Sequence, residues 1–109
     1  VRRDPARALG AIVAHVKATG VDSVYFSNDI DGTDAAEAAA TGTPEPGGLD
    51  PEFVIALVRR LGKEIGLAGG DVMEVAPGIA GTPEGNARTL SLAVRYLRET
   101  IAAALGTAV

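Results

Sequence analysis

Three carboxylates fall within six residues where a short apolar run ends: Val24-Tyr25-Phe26-Ser27-Asn28 leads into Asp29-Ile30-Asp31-Gly32-Thr33-Asp34. Asp29 and Asp31 stand two apart, so in extended backbone their side chains project to one side. Two carboxylates on one side repel each other unless a cation sits between them. Oxygen-rich sites of this kind favour hard divalent ions such as Mg, Ca or Mn. The same residues also make a solvated acidic turn, and the triplet alone leaves both readings open. An EF-hand is excluded. Counted from Asp29, that loop needs Gly at its sixth position and Glu at its twelfth, and this chain has Asp34 and Ala40 there.

Glu74 is the second residue with chemical promise. It lies between Met73 and Val75, in a segment otherwise fit for burial. A carboxylate in such a place needs a partner or a cationic ligand. An ion pair with Arg59 or Arg88 would satisfy it as well as a ligand would. If its strand runs parallel to the one ending at Asp29, both acids emerge together at the strands' C-terminal ends, where open α/β sheets bind ligands. His15, the only histidine, falls off the apolar stripe of its helix and takes no role. No Ser-His-Asp or Cys-His arrangement can be drawn. Gly47-Gly48 follows no strand and precedes no Lys-Ser/Thr, so it is not a phosphate-binding loop.

The elements that must position these residues are legible. Asp4-Pro5, Asp50-Pro51 and Thr82-Pro83 each pair a capping side chain with proline at the first helical position. Leu9, Ile12, Val13 and Val16 then predict a helix over 5–19, ended by Gly20. Val54, Leu57, Val58, Leu61 and Ile65 predict one over 51–65, ended by Gly66. Leu90, Val94, Leu97, Ile101 and Leu105 line one face of a third helix, ended by Gly106. Strands are predicted over 22–28 and 71–76, the second stopped by Pro77. Residues 29–49 form a long loop rich in Gly, Ala, Thr and Pro, and loops of that length are usually functional or disordered.

The order α-β-α-β-α contains a β-α-β unit, hence two parallel strands. Two parallel strands are too small a sheet to cover three amphipathic helices. The segment therefore belongs to a larger sheet or assembles with copies of itself.

Composition narrows the class. The chain has 109 residues, so it holds one domain or part of one. With 47% apolar and 22% charged residues it is a globular folder, and with two Phe, two Tyr and no Trp its core is aliphatic. A net charge of −4 without a basic stripe argues against nucleic acid as partner. No apolar run reaches the ~18 residues of a membrane span, and no signal peptide is seen. The absence of cysteine excludes disulfides and thiol catalysis and fits a cytoplasmic protein. The first residue is Val, not Met, so the chain is expected to be processed or cut.

Several blocks, in order, resemble the C-terminal third of the ureohydrolase (arginase–agmatinase) family. The family's Ser-Phe-Asp-x-Asp, Thr-Gly-Thr-Pro and Gly-Gly-Leu are matched by Ser27 to Asp31, Thr41-Gly42-Thr43-Pro44 and Gly47-Gly48-Leu49. Its Asp-Ile-Met-Glu-Val-Asn-Pro strand is matched by Asp71 to Pro77, and its Thr-Pro-Glu and Arg-Thr by Thr82-Pro83-Glu84 and Arg88-Thr89. Asn28, Ala35 and Ala76 depart from the pattern. The match covers about residues 21–105.

The resemblance implies a three-layer α/β fold with a parallel sheet and flanking helices, of which residues 1–109 supply the C-terminal part with two strands and three helices. It implies a binuclear manganese centre in which Asp29 bridges both Mn2+ ions and Asp31 binds one. A metal-bridging hydroxide would attack the guanidinium carbon, releasing urea and an amine. Glu74 would hold the guanidinium by charge-assisted hydrogen bonds, with Thr43 close to the substrate. The family's other ligands, His and Asp from earlier strands, have no counterpart here, so the ligand set is incomplete and the isolated chain is expected to be inactive. The intact protein would act on arginine, agmatine or a similar guanidino compound. The expected partner is further polypeptide of the same domain or a second copy in a homo-oligomer. The competing class is a non-catalytic α/β module that self-associates through its strand edges and binds at most a weak cation.

Overall fold

A computed structural model describes residues 4–42, 46–79 and 81–107. The helices lie where the capping signals put them: α1 at Pro5–Ala18, α2 at Pro51–Glu64 and α3 at Pro83–Leu105. Each opens on a side-chain cap. Asp4 accepts from the Arg7 amide at 3.1 Å, Asp50 from Glu52 at 2.9 Å and Thr82 from Gly85 at 3.0 Å, which satisfies donors that the first turn leaves without partners. Gly106, at φ 71°, closes α3 in the left-handed region that glycine tolerates best.

Both strands are shifted from the expected spans. β1 is Val24–Asp29 and β2 is Leu67–Met73. β2 starts earlier because Ala68, Gly69 and Gly70, poor strand formers on propensity, are required by packing. A Cβ at Gly70 would lie 2.6 Å from the Phe26 carbonyl oxygen and 2.7 Å from Thr100 Cγ2. Only glycine lets α3 press this close to the sheet. The strands pair in parallel, with Tyr25 opposite Gly69, Ser27 opposite Asp71 and Asp29 opposite Met73. α2 is the crossover.

One face of the sheet is covered. Phe26 and Val72 pack against Ile30, Val54, Ile55, Leu92, Ala93 and Tyr96. A second cluster joins Val13 of α1 to Val58, Leu61 and Leu67. On the opposite face Tyr25, Ser27 and Asp29 are exposed.

The stripe Leu90, Val94, Leu97, Ile101 and Leu105 does lie along one side of α3, but it is the outward side, 42 to 71% exposed. The packed side carries Thr89, Leu92, Ala93, Tyr96, Thr100 and Ala102. Close approach decides this. A Cβ at Gly62 of α2 would sit 2.8 Å from the Ala103 carbonyl oxygen, so the contact with α2 admits small side chains and the bulky ones face away.

The long segment 29–49 is packed along much of its described length. Ile30, Thr33, Ala38, Ala40 and Thr41 are buried, and Thr33 bridges to Leu49. A Cβ at Gly48 would lie 2.8 Å from the Gly32 carbonyl oxygen, so this glycine lets the two ends of the segment close on each other. The Thr33 hydroxyl and the Tyr96 hydroxyl share a buried hydrogen bond of 2.7 Å, fixing the segment to α3.

Candidate metal and substrate site

Asp29 is the last residue of β1 and is exposed at the sheet's C-terminal end. Extended backbone stops there. Ile30–Gly32 form a single 3-10 turn because the Ile30 side chain is fully buried, so Asp31 is carried by a turn and not by the strand. The turn is drawn tight by the Asp31 amide, which donates to Asp29 Oδ1 at 3.0 Å. Asp31 is half-buried and its carboxylate accepts from the hydroxyl of Thr41. Asp34, the third acid of the triplet, accepts from the Ala36 amide at 3.2 Å and so shapes the following turn.

Asp29 lies opposite Met73, so Glu74 leaves the sheet at the same end as the Asp29–Asp31 turn. Glu74 is not in the strand. It follows the last strand residue, is exposed, and has φ 67°. It therefore escapes the burial that its neighbours suggest and needs no ion-pair partner. Arg59 is paired with Glu99 at 2.6 Å, and Arg88 donates to the Ala36 carbonyl at 3.0 Å. Left-handed backbone costs a non-glycine residue roughly 1–2 kcal/mol, and such outliers gather at functional sites. Here the reversal takes Glu74 out of the strand's alternation. Thr43 lies outside the described residues. His15 is exposed on α1.

The donor set can be judged against a divalent metal. Asp29 and Asp31 offer hard oxygen donors of the right kind. Among the described residues no three of His, Cys, Asp and Glu gather closely enough to hold an ion. The pair fits as part of a metal site, not as a whole one.

Two features of this region are absent from the sequence reading. Asp71 accepts from Ser27 Oγ at 2.8 Å and from the Tyr25 hydroxyl at 2.9 Å, tying the strands together on the face that also carries Asp29. The Tyr25 phenol is held above its usual pKa, first because it donates to the Asp71 carboxylate. The pairing could be sought from the alternation of Tyr25, Ser27 and Asp29, but only the register puts Asp71 beside them. Thr41 gave no signal beyond its place in a motif.

A family model described as the arginase family matches residues 1–103. The chain belongs to the arginase family. Over 72 residues it is 47% identical to an agmatinase of Escherichia coli, which is 65% of this chain and 23% of that protein. It is similar to the structure of agmatine ureohydrolase from Thermoplasma volcanium, with 31% identity and a TM-score of 0.71, covering 94% of this chain and 32% of that one. A Trypanosoma cruzi formiminoglutamase, described with Mn2+2, shares the fold at 21% identity and a TM-score of 0.73, over 98% of this chain and 34% of that one. The arginase-type α/β architecture is thus present as two of its strands and three helices. The chain spans about a quarter of the curated agmatinase and a third of the solved chains. Among the described residues no helix is long and apolar enough to cross a membrane.

Proposed function

We propose that these residues form the C-terminal part of a manganese-dependent ureohydrolase that converts arginine, agmatine or a similar guanidino compound to urea and an amine. The observation that carries this reading is the register that brings Asp29 and Glu74 out at one end of the sheet. In the proposed roles Asp29 and Asp31 hold metal, with the remaining ligands supplied from outside these residues. Manganese bound there would make water a nucleophile at neutral pH. Glu74 would orient the guanidinium, since a carboxylate and a guanidinium form paired, charge-assisted hydrogen bonds. Thr43 is proposed as a further substrate contact. The lack of cysteine supports a cytoplasmic setting.

The test is a graft. The segment of Escherichia coli agmatinase that matches this chain is replaced by the chain's own residues, and urea release from agmatine and from arginine is measured with Mn. Release that is lost in Asp29→Asn, Asp31→Asn and Glu74→Gln versions supports the reading. A folded graft whose activity survives all three changes would remove these residues from the chemistry. The 109-residue chain alone is expected to release no urea.

A second reading is favoured by the outward stripe of α3, which leaves five large apolar residues uncovered. Under it the chain is a non-catalytic module that self-associates. The same graft separates the two: a folded graft that neither binds Mn nor releases urea supports the module.

A further inference from the structure

We propose that Thr41 is a positioning residue, its hydroxyl fixing the Asp31 carboxylate for a divalent cation. The inference rests on the metal reading above and adds a residue to it. Thr41 Oγ1 donates to Asp31 Oδ1 across a ten-residue separation, and Thr41 is almost fully buried. Its backbone is not free to drift. The neighbouring Ala40 amide donates to Thr89 Oγ1 on α3 at 3.0 Å. The Thr89 hydroxyl donates in turn to the Gly85 carbonyl at 2.8 Å. From the other side, the Ala76 amide donates to the Ala40 carbonyl at 2.7 Å. Ala38 and Ala40 are themselves fully buried.

Residues 38–41 are therefore a hub. They hold the turn carrying Asp31, the segment just after Glu74 and the first turns of α3 in one arrangement. Asp31 needs such help more than Asp29 does. Asp29 ends a paired strand, whereas Asp31 sits in one 3-10 turn, whose geometry alone does not fix a side-chain rotamer. A donor that orders a carboxylate before the cation arrives removes that ordering from the cost of binding. Threonine suits the task because its branched Cβ restricts the hydroxyl's own rotamers.

The experiment reads the Asp31 rotamer in the 109-residue chain and Mn2+ affinity in the agmatinase graft, which supplies the remaining ligands, with Thr41→Val, Thr41→Ser, Asp31→Asn and the double change Asp31→Asn/Thr41→Val. Without metal, Hα–Hβ couplings report the Asp31 rotamer. One rotamer is expected in the parent chain and in Thr41→Ser, and averaging in Thr41→Val. In the metal-free graft, titration with Mn2+ followed by the electron paramagnetic resonance signal of the free ion reports binding. Affinity is expected to fall about tenfold in Thr41→Val, the lower end for losing a ligand's hydrogen-bond partner, and to recover in Thr41→Ser. On the Asp31→Asn background the second change is expected to have no further effect on affinity. Far-ultraviolet dichroism checks that each variant is folded, and Thr41→Ala, which removes the hydroxyl and adds no new group, reads the effect should Thr41→Val unfold. A single Asp31 rotamer in folded Thr41→Val, or unchanged affinity, would overturn the inference. A folded parent graft that binds no Mn2+ while the rotamer in the 109-residue chain still depends on Thr41 strikes at the metal reading itself, and the positioning role falls with it.

Discussion

Asn28 carries its amide onto the covered face of β1. Its Nδ2 is buried with no hydrogen-bond partner among the described residues, and a buried donor left unsatisfied costs about 1–3 kcal/mol. Asn28→Leu keeps the branching and removes the donor, so it is expected to raise stability by about 1 kcal/mol. Urea unfolding followed by circular dichroism reads this, and an unchanged midpoint would mean that the amide is satisfied in solution. The buried pair of Thr33 and Tyr96 makes the opposite case. Both hydroxyls are used at 2.7 Å, and burial is the chief reason that the Tyr96 phenol is pushed above its usual pKa. Tyr96→Phe leaves the Thr33 hydroxyl without its partner, and is expected to cost about 1 kcal/mol in the same measurement.

At the scale of elements, α2 and α3 meet through a glycine. Alanine in a helix interior is worth ~1 kcal/mol over glycine, which taken alone predicts that Gly62→Ala stabilises. The added Cβ would meet the Ala103 carbonyl oxygen at 2.8 Å, and overpacking of a tight contact costs about 1–3 kcal/mol. Overpacking outweighs propensity. Gly62→Ala is expected to lower the melting temperature, and a rise would show that the helices can separate without penalty. The α1–α2 contact carries a charge link. Glu64 accepts from Arg60 at 2.6 Å and from Lys17 at 2.9 Å, and these bonds, Arg60's first, hold its carboxyl down to about 2 from an ordinary 4.5. A carboxyl depressed in the folded state stabilises it above the unfolded value and loses that contribution as pH falls from about 4.5 toward 2. Exposure and salt keep the effect small. An NMR titration of the Glu64 carboxyl carbon should show the lowered midpoint at low salt, and an ordinary midpoint would remove the link.

For the whole molecule, the question is what covers α3. A helix apolar on two sides belongs inside a larger assembly, and β2 leaves main-chain groups on an edge that another strand can pair with. Further polypeptide of an arginase-family domain would cover both, in keeping with the third of the solved chains that these residues span. Without it, the chain is expected to self-associate as concentration rises, and Leu97→Lys with Ile101→Lys to suppress this. Sedimentation velocity over a range of concentrations is the measurement. A parent chain that stays monomeric throughout would show that the stripe is tolerated in water.

The sequence by itself determined what depends on neighbours along the chain. Helix starts at Asp4-Pro5, Asp50-Pro51 and Thr82-Pro83 are local hydrogen bonding. The family is legible because Asp29, Asp31 and Glu74 lie in ordered blocks of specific residues. Tertiary structure decided what depends on neighbours across space. It placed Gly69 and Gly70 in a strand, since the approach of α3 to the sheet outweighs their poor propensity. It turned the periodic stripe of α3 outward, since small residues were needed where that helix meets α2 and β2. It set Glu74 just past its strand, in a left-handed turn. It also joined Thr41 to Asp31 and Asp71 to Ser27. No local signal carries such pairings, because they exist only once the register of two strands and the path of a long loop are set.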